Sequence, residues 1–169
     1  MKLRIAFLGL GAIGRPMAAH LARRYDLTVW NRTAARAEEF AARTGARVAS
    51  TPRAAVNGAT VVLTCLPTSR EVEALLDGPE GLLAGLAAGV LFLDCTSGDP
   101  ASSQRIAARL AEQGVAFADC PVSGGTNGAE DAALTVMVGG EAGTFERALP
   151  VLECFGKRIE HIGNVGAGH

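Results

Sequence analysis

The apolar run Leu3-Arg4-Ile5-Ala6-Phe7-Leu8 ends directly in Gly9-Leu10-Gly11-Ala12-Ile13-Gly14, and a stretch of helical periodicity follows. A strand, a tight turn and a helix N-terminus are therefore expected in that order. Each glycine has its own reason: Gly9 permits the sharp turn out of the strand, Gly11 lets backbone approach a pyrophosphate, and Gly14 lets the helix pack against the strand. The helix start adds N–H groups without acceptors and the positive end of its dipole, a combination that holds phosphate. Glycines at this spacing are common in turns, but the strand before and the periodic helix after point to a dinucleotide site lined by Gly9, Leu10, Gly11, Ala12, Ile13 and Gly14.

Apolar runs and helical patterns then alternate. Strands are expected near residues 3–8, 27–31, 46–49, 59–65, 89–94, 115–118, 134–138 and 158–162, with helices over 13–24, 34–43, 52–57, 100–113 and 141–153. In the first helix Ile13, Met17, Ala18 and Leu21 recur on one side, and Pro16 falls in the first turn, where its missing N–H does no harm. Asp99-Pro100 reads as an N-cap followed by the first helical residue, and Gly45 and Gly114 stand where helices stop. Repeated βαβ units make this an α/β chain with a doubly wound, mainly parallel Rossmann sheet and right-handed crossovers.

Composition narrows the functional classes. With 49% hydrophobic residues, a net charge of −1 and 16 scattered basic residues, the chain of 169 residues suits one globular domain and shows no electrostatic footprint for nucleic acid or a membrane surface. Met1-Lys2-Leu3 runs into a short strand broken by Arg4, unlike a signal peptide, and no apolar stretch reaches membrane-spanning length. A cytoplasmic location is the expectation. Cys65, Cys95, Cys120 and Cys154 form no C-x-x-C pair and read as reduced, packed thiols.

The second strand bears on which dinucleotide is bound. An NAD site carries a carboxylate about 20 residues past the glycine turn, where it accepts from the adenosine ribose. Here Leu27-Thr28-Val29-Trp30 is followed by Asn31-Arg32-Thr33, a guanidinium between two neutral hydrogen-bonding side chains, which suits a 2′-phosphate and hence NADP, with NAD possible. The plainer alternative makes Thr33 a helix cap and Arg32 a solvated loop residue. Ligands of open α/β sheets lie beyond the carboxyl ends of the strands, which adds Leu66, Pro67, Glu71 and Thr96 as expected cofactor contacts, Thr96 toward the nicotinamide ribose. Pro67 and Ser69 could instead merely shape a turn and cap the helix bearing Glu71 and Val72.

Ser123-Gly124-Gly125 sets one hydroxyl beside two sterically open backbone N–H groups, an arrangement able to hold a carboxylate; a plain glycine loop is its rival. Taken in order, Gly9-Leu10-Gly11-Ala12-Ile13-Gly14-Arg15-Pro16-Met17-Ala18, Asn31-Arg32-Thr33, Asp119-Cys120-Pro121-Val122-Ser123-Gly124-Gly125 and Leu134-Thr135-Val136-Met137-Val138-Gly139-Gly140 give a chain that closely resembles the N-terminal domain of the β-hydroxyacid dehydrogenases. Within that family it resembles the 3-hydroxyisobutyrate dehydrogenase and tartronate semialdehyde reductase branch, and more distantly 6-phosphogluconate dehydrogenase.

The resemblance implies an oxidoreductase that exchanges a hydride between NAD(P) and a short β-hydroxy acid, with Ser123, Gly124 and Gly125 holding the substrate carboxylate. It implies a cofactor domain over residues 1–163 and the start of an interdomain helix at 164–169, leading to an all-helical domain absent from this chain, through which relatives assemble as homo-oligomers. It also implies a general acid/base lysine in a G-x-G-x-x-x-K motif, of which this sequence contains Gly166-Ala167-Gly168-His169, so the lysine would fall about one helical turn beyond Gly168. No catalytic residue is therefore assigned within the chain. Two alternatives are a non-catalytic dinucleotide-binding module and an imine or carbonyl reductase on the same scaffold. Ile13 replaces the family's usual methionine, a volume-conserving change, and Ala132 stands where relatives often have glycine, which costs on the order of 1 kcal/mol if the position needs positive φ.

The remaining polar residues receive simpler readings. His20, His161 and His169 have no metal-ligand spacing, and His20 is expected on the packed or boundary side of the first helix. Asp94 and Asp119, each at a strand end, are expected to organise turns rather than form an acid/base pair, and Glu130 and Asp131 read as a solvated helix face.

Overall fold

The computed structural model describes residues 3–169; Met1 and Lys2, on which part of the signal-peptide reading rests, lie outside the described residues. The strands are β1 (Arg4–Leu8), β2 (Asp26–Trp30), β3 (Arg47–Val48), β4 (Val61–Thr64), β5 (Leu91–Asp94), β6 (Ala116–Asp119), β7 (Val122–Ser123), β8 (Leu134–Gly139) and β9 (Gly156–Gly163). Between them run α1 (Gly14–Ala22), α2 (Ala34–Thr44), α3 (Pro52–Val56), α4 (Ser69–Leu76), α5 (Leu82–Gly85), α6 (Pro100–Ala111), α7 (Gly125–Glu130) and α8 (Ala142–Leu152).

Successive side chains of a strand point to opposite faces, and here both faces are covered. Ile5, Phe7, Val29, Leu63 and Leu93 pack on one side with Met17 and Leu21 of α1, Phe40 of α2 and Val151 of α8. Ala6, Leu8, Val62 and Phe92 pack on the other with Val56 of α3, Val72 of α4, Leu82 of α5 and Ile106 of α6. This two-sided burial is why the strands read as continuous apolar runs. Asp99 caps α6 as its sequence predicts, accepting from Ser102 N–H at 2.8 Å ahead of Pro100.

The sheet runs β3-β2-β1-β4-β5-β6-β8-β7, with β9 on β8. β3 through β6 are all parallel, and the order reverses between β1 and β4. The second half departs from a uniformly parallel sheet: β8 is antiparallel to β6 and to β7, while β9 is parallel to β8. A parallel return needs a crossover helix packed on the sheet. The segment after β6 supplies only the six residues of α7, and these turn toward α1, where the His20 ring nitrogen bonds the Ala129 and Glu130 carbonyls at 2.9 and 3.0 Å. His20 thus holds the C-terminal end of α7, a more specific role than a boundary position.

Past the end of α7, Ala132 adopts φ 53°, the one positive φ at a non-glycine residue among those described. It occupies the left-handed position that commonly ends a helix, with Ala133 N–H closing on the Gly128 carbonyl at 2.8 Å. Ala132→Gly is expected to raise stability by about 1 kcal/mol, read as a higher urea midpoint at unchanged slope. An unchanged or lower midpoint would show that no strain resides there.

Residues 164–168, expected from the resemblance to lead into an interdomain helix, form a bend and a turn. The turn is held by a buried carboxylate described below.

Candidate dinucleotide crevice

The crevice lies at the carboxyl ends of the strands where their order reverses, as expected for an open α/β sheet. It has a volume of about 770 Å³ and is walled by the glycine turn, the ends of β2 and β4, the start of α4, and the Val122–Gly125 rim. The glycine turn meets the steric demands read from the sequence. A Cβ on Gly9, whose φ is +106°, would lie 2.2 Å from the Cys65 carbonyl oxygen, and one on Gly14 would lie 2.1 Å from the Gly9 carbonyl oxygen. A Cβ on Gly11 would meet nothing within 4 Å, so this glycine faces open space and its main chain is accessible to a ligand. The first N–H groups of α1 have no acceptor within the helix, and they begin at this turn.

Of the residues singled out in the sequence, Gly9, Gly11, Ala12, Ile13, Gly14, Asn31, Arg32, Thr33, Leu66, Pro67, Glu71, Ser123, Gly124 and Gly125 all line the crevice. Leu10 does not: its side chain is 2% exposed and joins the core, while its N–H donates to Asn31 Oδ1 at 2.9 Å. Asn31 also donates from Nδ2 to the Thr33 carbonyl at 3.0 Å, so one amide ties the glycine turn to the end of β2. Thr33 occupies the N-cap of α2 without capping through its side chain, which leaves the hydroxyl free of that duty.

Thr96 stands behind the wall, not on it. It is wholly buried, and its hydroxyl accepts from Leu66 N–H at 3.0 Å, so it orients the Leu66-Pro67 segment. A direct contact with a bound nucleotide is therefore corrected to a supporting one. The exposed Ser97 and the buried Cys95 border the crevice on either side of Thr96. The structure also brings in Trp30, Arg36, Cys65 and Val122, which sequence reading missed. Arg36 could have been found, because it lies in the first turn of the helix expected over 34–43, directly after the Asn31-Arg32-Thr33 segment.

Electrostatics differ between the two ends. Arg32 and Arg36 are exposed beside the end of β2. Across from them the Thr68 hydroxyl donates to Glu71 and, with the nearby N–H groups and the charge of Arg32, holds that carboxyl below its ordinary value. At the floor, burial pushes the Cys65 thiol up to about 12, so it remains protonated and unreactive at neutral pH. No cluster of metal-ligating side chains occurs among the described residues.

Asp94 closes the floor from beneath. It is wholly buried; Oδ1 accepts from the Thr64 hydroxyl at 2.8 Å and from Thr96 N–H at 3.1 Å, and Oδ2 has no partner among the described residues. Burial raises the carboxyl above its usual range, against the pull of those hydrogen bonds. The folded state then keeps a proton that the unfolded chain loses near pH 4, so stability falls as pH rises from there through the folded value. Asp94→Asn retains an acceptor for Thr64 and Thr96 and removes the titration. Relative to the parent, its urea midpoint is expected to gain as pH rises above about 4, the Asp94 contribution to a decline being removed; identical pH dependences would refute the assignment.

Fold and crevice together define a dinucleotide-binding domain of the Rossmann class. Residues 4–163 match the family described as the NAD binding domain of 6-phosphogluconate dehydrogenase, and the chain belongs to that family. It is 45% identical over 166 residues to an NAD-dependent L-serine dehydrogenase of Pseudomonas aeruginosa, covering 98% of this chain and 55% of the relative. It is 41% identical over 165 residues to a 3-hydroxyisobutyrate dehydrogenase of the same organism, covering 97% and 55%. A solved 3-hydroxyisobutyrate dehydrogenase of Mycobacterium tuberculosis, with L-serine, superposes with a TM-score of 0.92 at 37% identity over 99% of this chain and 57% of that one. An imine reductase of Myxococcus stipitatus with NAD+ gives 0.90 at 26% identity, over 99% and 57%. The chain spans about half the length of the curated relatives it matches, corresponding to their N-terminal domain. No helix among the described residues is long and apolar enough to cross a membrane.

Proposed function

We propose that this domain serves an oxidoreductase of the cytoplasm that transfers a hydride between NADP(H) and a short β-hydroxy acid of the 3-hydroxyisobutyrate type. The observation that carries the reading is one crevice with two unlike ends: the open main chain at Gly11 and the Ser123-Gly124-Gly125 rim. The residues fit a dinucleotide, since the space over Gly11 is what a Cβ would fill. When bound, that group supplies the hydride-carrying nicotinamide.

The chain's own residues bind and orient. The glycine turn and the start of α1 hold the diphosphate, with Arg32, Arg36 and Thr33 around the adenosine 2′-phosphate. Glu71 and Leu66-Pro67 border the nucleotide, with Thr96 behind. At the other end the Ser123 hydroxyl and the N–H groups of Gly124 and Gly125 hold a carboxylate; Gly125, like Gly11, has nothing within 4 Å of its Cβ position. The general acid/base lysine implied by the resemblance would lie in the chain beyond His169.

Imine or carbonyl reduction on this scaffold would leave that carboxylate-holding rim without purpose, which favours the hydroxy acid. Titration with NADPH and NADH by fluorescence, followed by hydride-transfer assays of short β-hydroxy acids on the full-length protein, tests the reading. Tighter binding of NADPH and turnover of a β-hydroxy acid are expected. Binding without turnover would make this a sensor-type module, and absence of nucleotide binding would end the proposal altogether.

A further inference from the structure

We infer that Asp119 is a positioning residue that fastens the Gly166–Gly168 turn to the crevice rim, so that the chain leaving the domain at His169 starts from a fixed point beside the substrate end. The inference rests on the reading of the crevice given above. Asp119 is the last residue of β6 and is wholly buried. Its Oδ1 accepts from Gly166 N–H at 2.7 Å and its Oδ2 from Gly168 N–H at 2.8 Å, contacts that span 47 and 49 residues of sequence. Gly166 has φ +93°, and in such a turn N–H groups converge on one anion.

Room for the carboxylate is made on two sides. A Cβ on Gly139, which lies opposite Asp119 in the β8 register, would sit 2.6 and 2.7 Å from its two oxygens, and one on Gly168 would sit 2.7 Å from Oδ2. No Lys or Arg among the described residues pairs with it; the nearest cationic candidate is His169 Nε2 at 4.0 Å, which lies 2.8 Å from Ser103 Oγ of α6. The charge is therefore met chiefly by two main-chain donors, a charge-assisted pair whose loss leaves buried groups unsatisfied.

The residues after Asp119 lead directly into Val122-Ser123-Gly124-Gly125. Any shift of the turn against β6 is a shift against the rim, and misplacement of about 1 Å at a reacting centre can cost a hundredfold in rate.

In the parent, the Gly166 and Gly168 amides are expected to exchange with solvent as slowly as amides of the sheet. Asp119→Asn, which keeps one acceptor oxygen, is expected to speed exchange of at least one of them by roughly tenfold. In the full-length enzyme the same variant is expected to lower kcat by about tenfold or more while KM for the dinucleotide stays within about twofold, because no group facing the nucleotide moves. Fast exchange in the parent, unchanged exchange in the variant, or a parallel loss in kcat and dinucleotide KM would each overturn the inference. Failure of the parent to turn over any short hydroxy acid would defeat the functional reading instead, and exchange in the parent would still decide whether the turn is held.

Discussion

Replacing Gly9 with alanine is expected to destabilise the domain by roughly 3 kcal/mol, whereas the same change at Gly11 is expected to leave stability within about 0.5 kcal/mol and weaken dinucleotide binding about thirtyfold. At Gly9 the added carbon would stand 2.2 Å from the Cys65 carbonyl oxygen and 2.9 Å from its carbonyl carbon, both main-chain atoms, at a φ of +106°. Neither the strand end nor the backbone angle can relax cheaply. At Gly11 nothing lies within 4 Å, so the methyl enters the space assigned by the proposal to the diphosphate and would hold a phosphate away from the main-chain donors. Two charge-assisted hydrogen bonds lengthened there account for a loss of that size. Denaturation midpoints and nucleotide titrations of the two variants separate the roles: if Gly11→Ala bound NADPH as the parent does, the pyrophosphate would not lie over this turn.

Removing both guanidiniums at the end of β2, in Arg32→Ala with Arg36→Ala, is expected to weaken NADPH binding by about thirtyfold and leave NADH within about threefold. Both side chains are exposed and line the crevice, and no salt bridge engages either of them among the described residues. Their effect should fall with added salt, because exposed charges are screened. Glu71 on the facing wall counters them in part, so Glu71→Gln in the parent background should shift preference further toward NADPH. Equal losses for the two nucleotides in the double variant would move these arginines from 2′-phosphate recognition to general electrostatics.

Much of the fold was legible because local patterns decide it. The apolar runs of β1, β4 and β5, the periodic helices α1, α2, α6 and α8, and the Asp99-Pro100 start of α6 follow from side-chain alternation, helix spacing and capping, which act within a few residues. The crevice was legible for a related reason. A glycine turn placed after a strand, and polar residues at the ends of adjacent parallel strands, converge by topology once the sheet is known.

What escaped the sequence depended on contacts between distant segments. Nothing local tells that β8 runs antiparallel to β6, since that follows from the connection between them, whose short helix α7 packs toward α1 instead of crossing back over the sheet. Thr96 looked like a ligand contact because it ends a strand, but the depth of its hydroxyl is set by Leu66, thirty residues earlier. Asp119 read as a turn former, and the turn it holds is a distant one near residue 167, which only the folded sheet brings beside it. The sequence by itself determined a two-faced, mainly parallel sheet and a glycine turn opening the first helix, because hydrophobic periodicity and glycine sterics are properties of neighbouring residues. The tertiary structure alone decided which polar groups face the crevice and which support it from behind, because burial and hydrogen-bond partners belong to the packed whole.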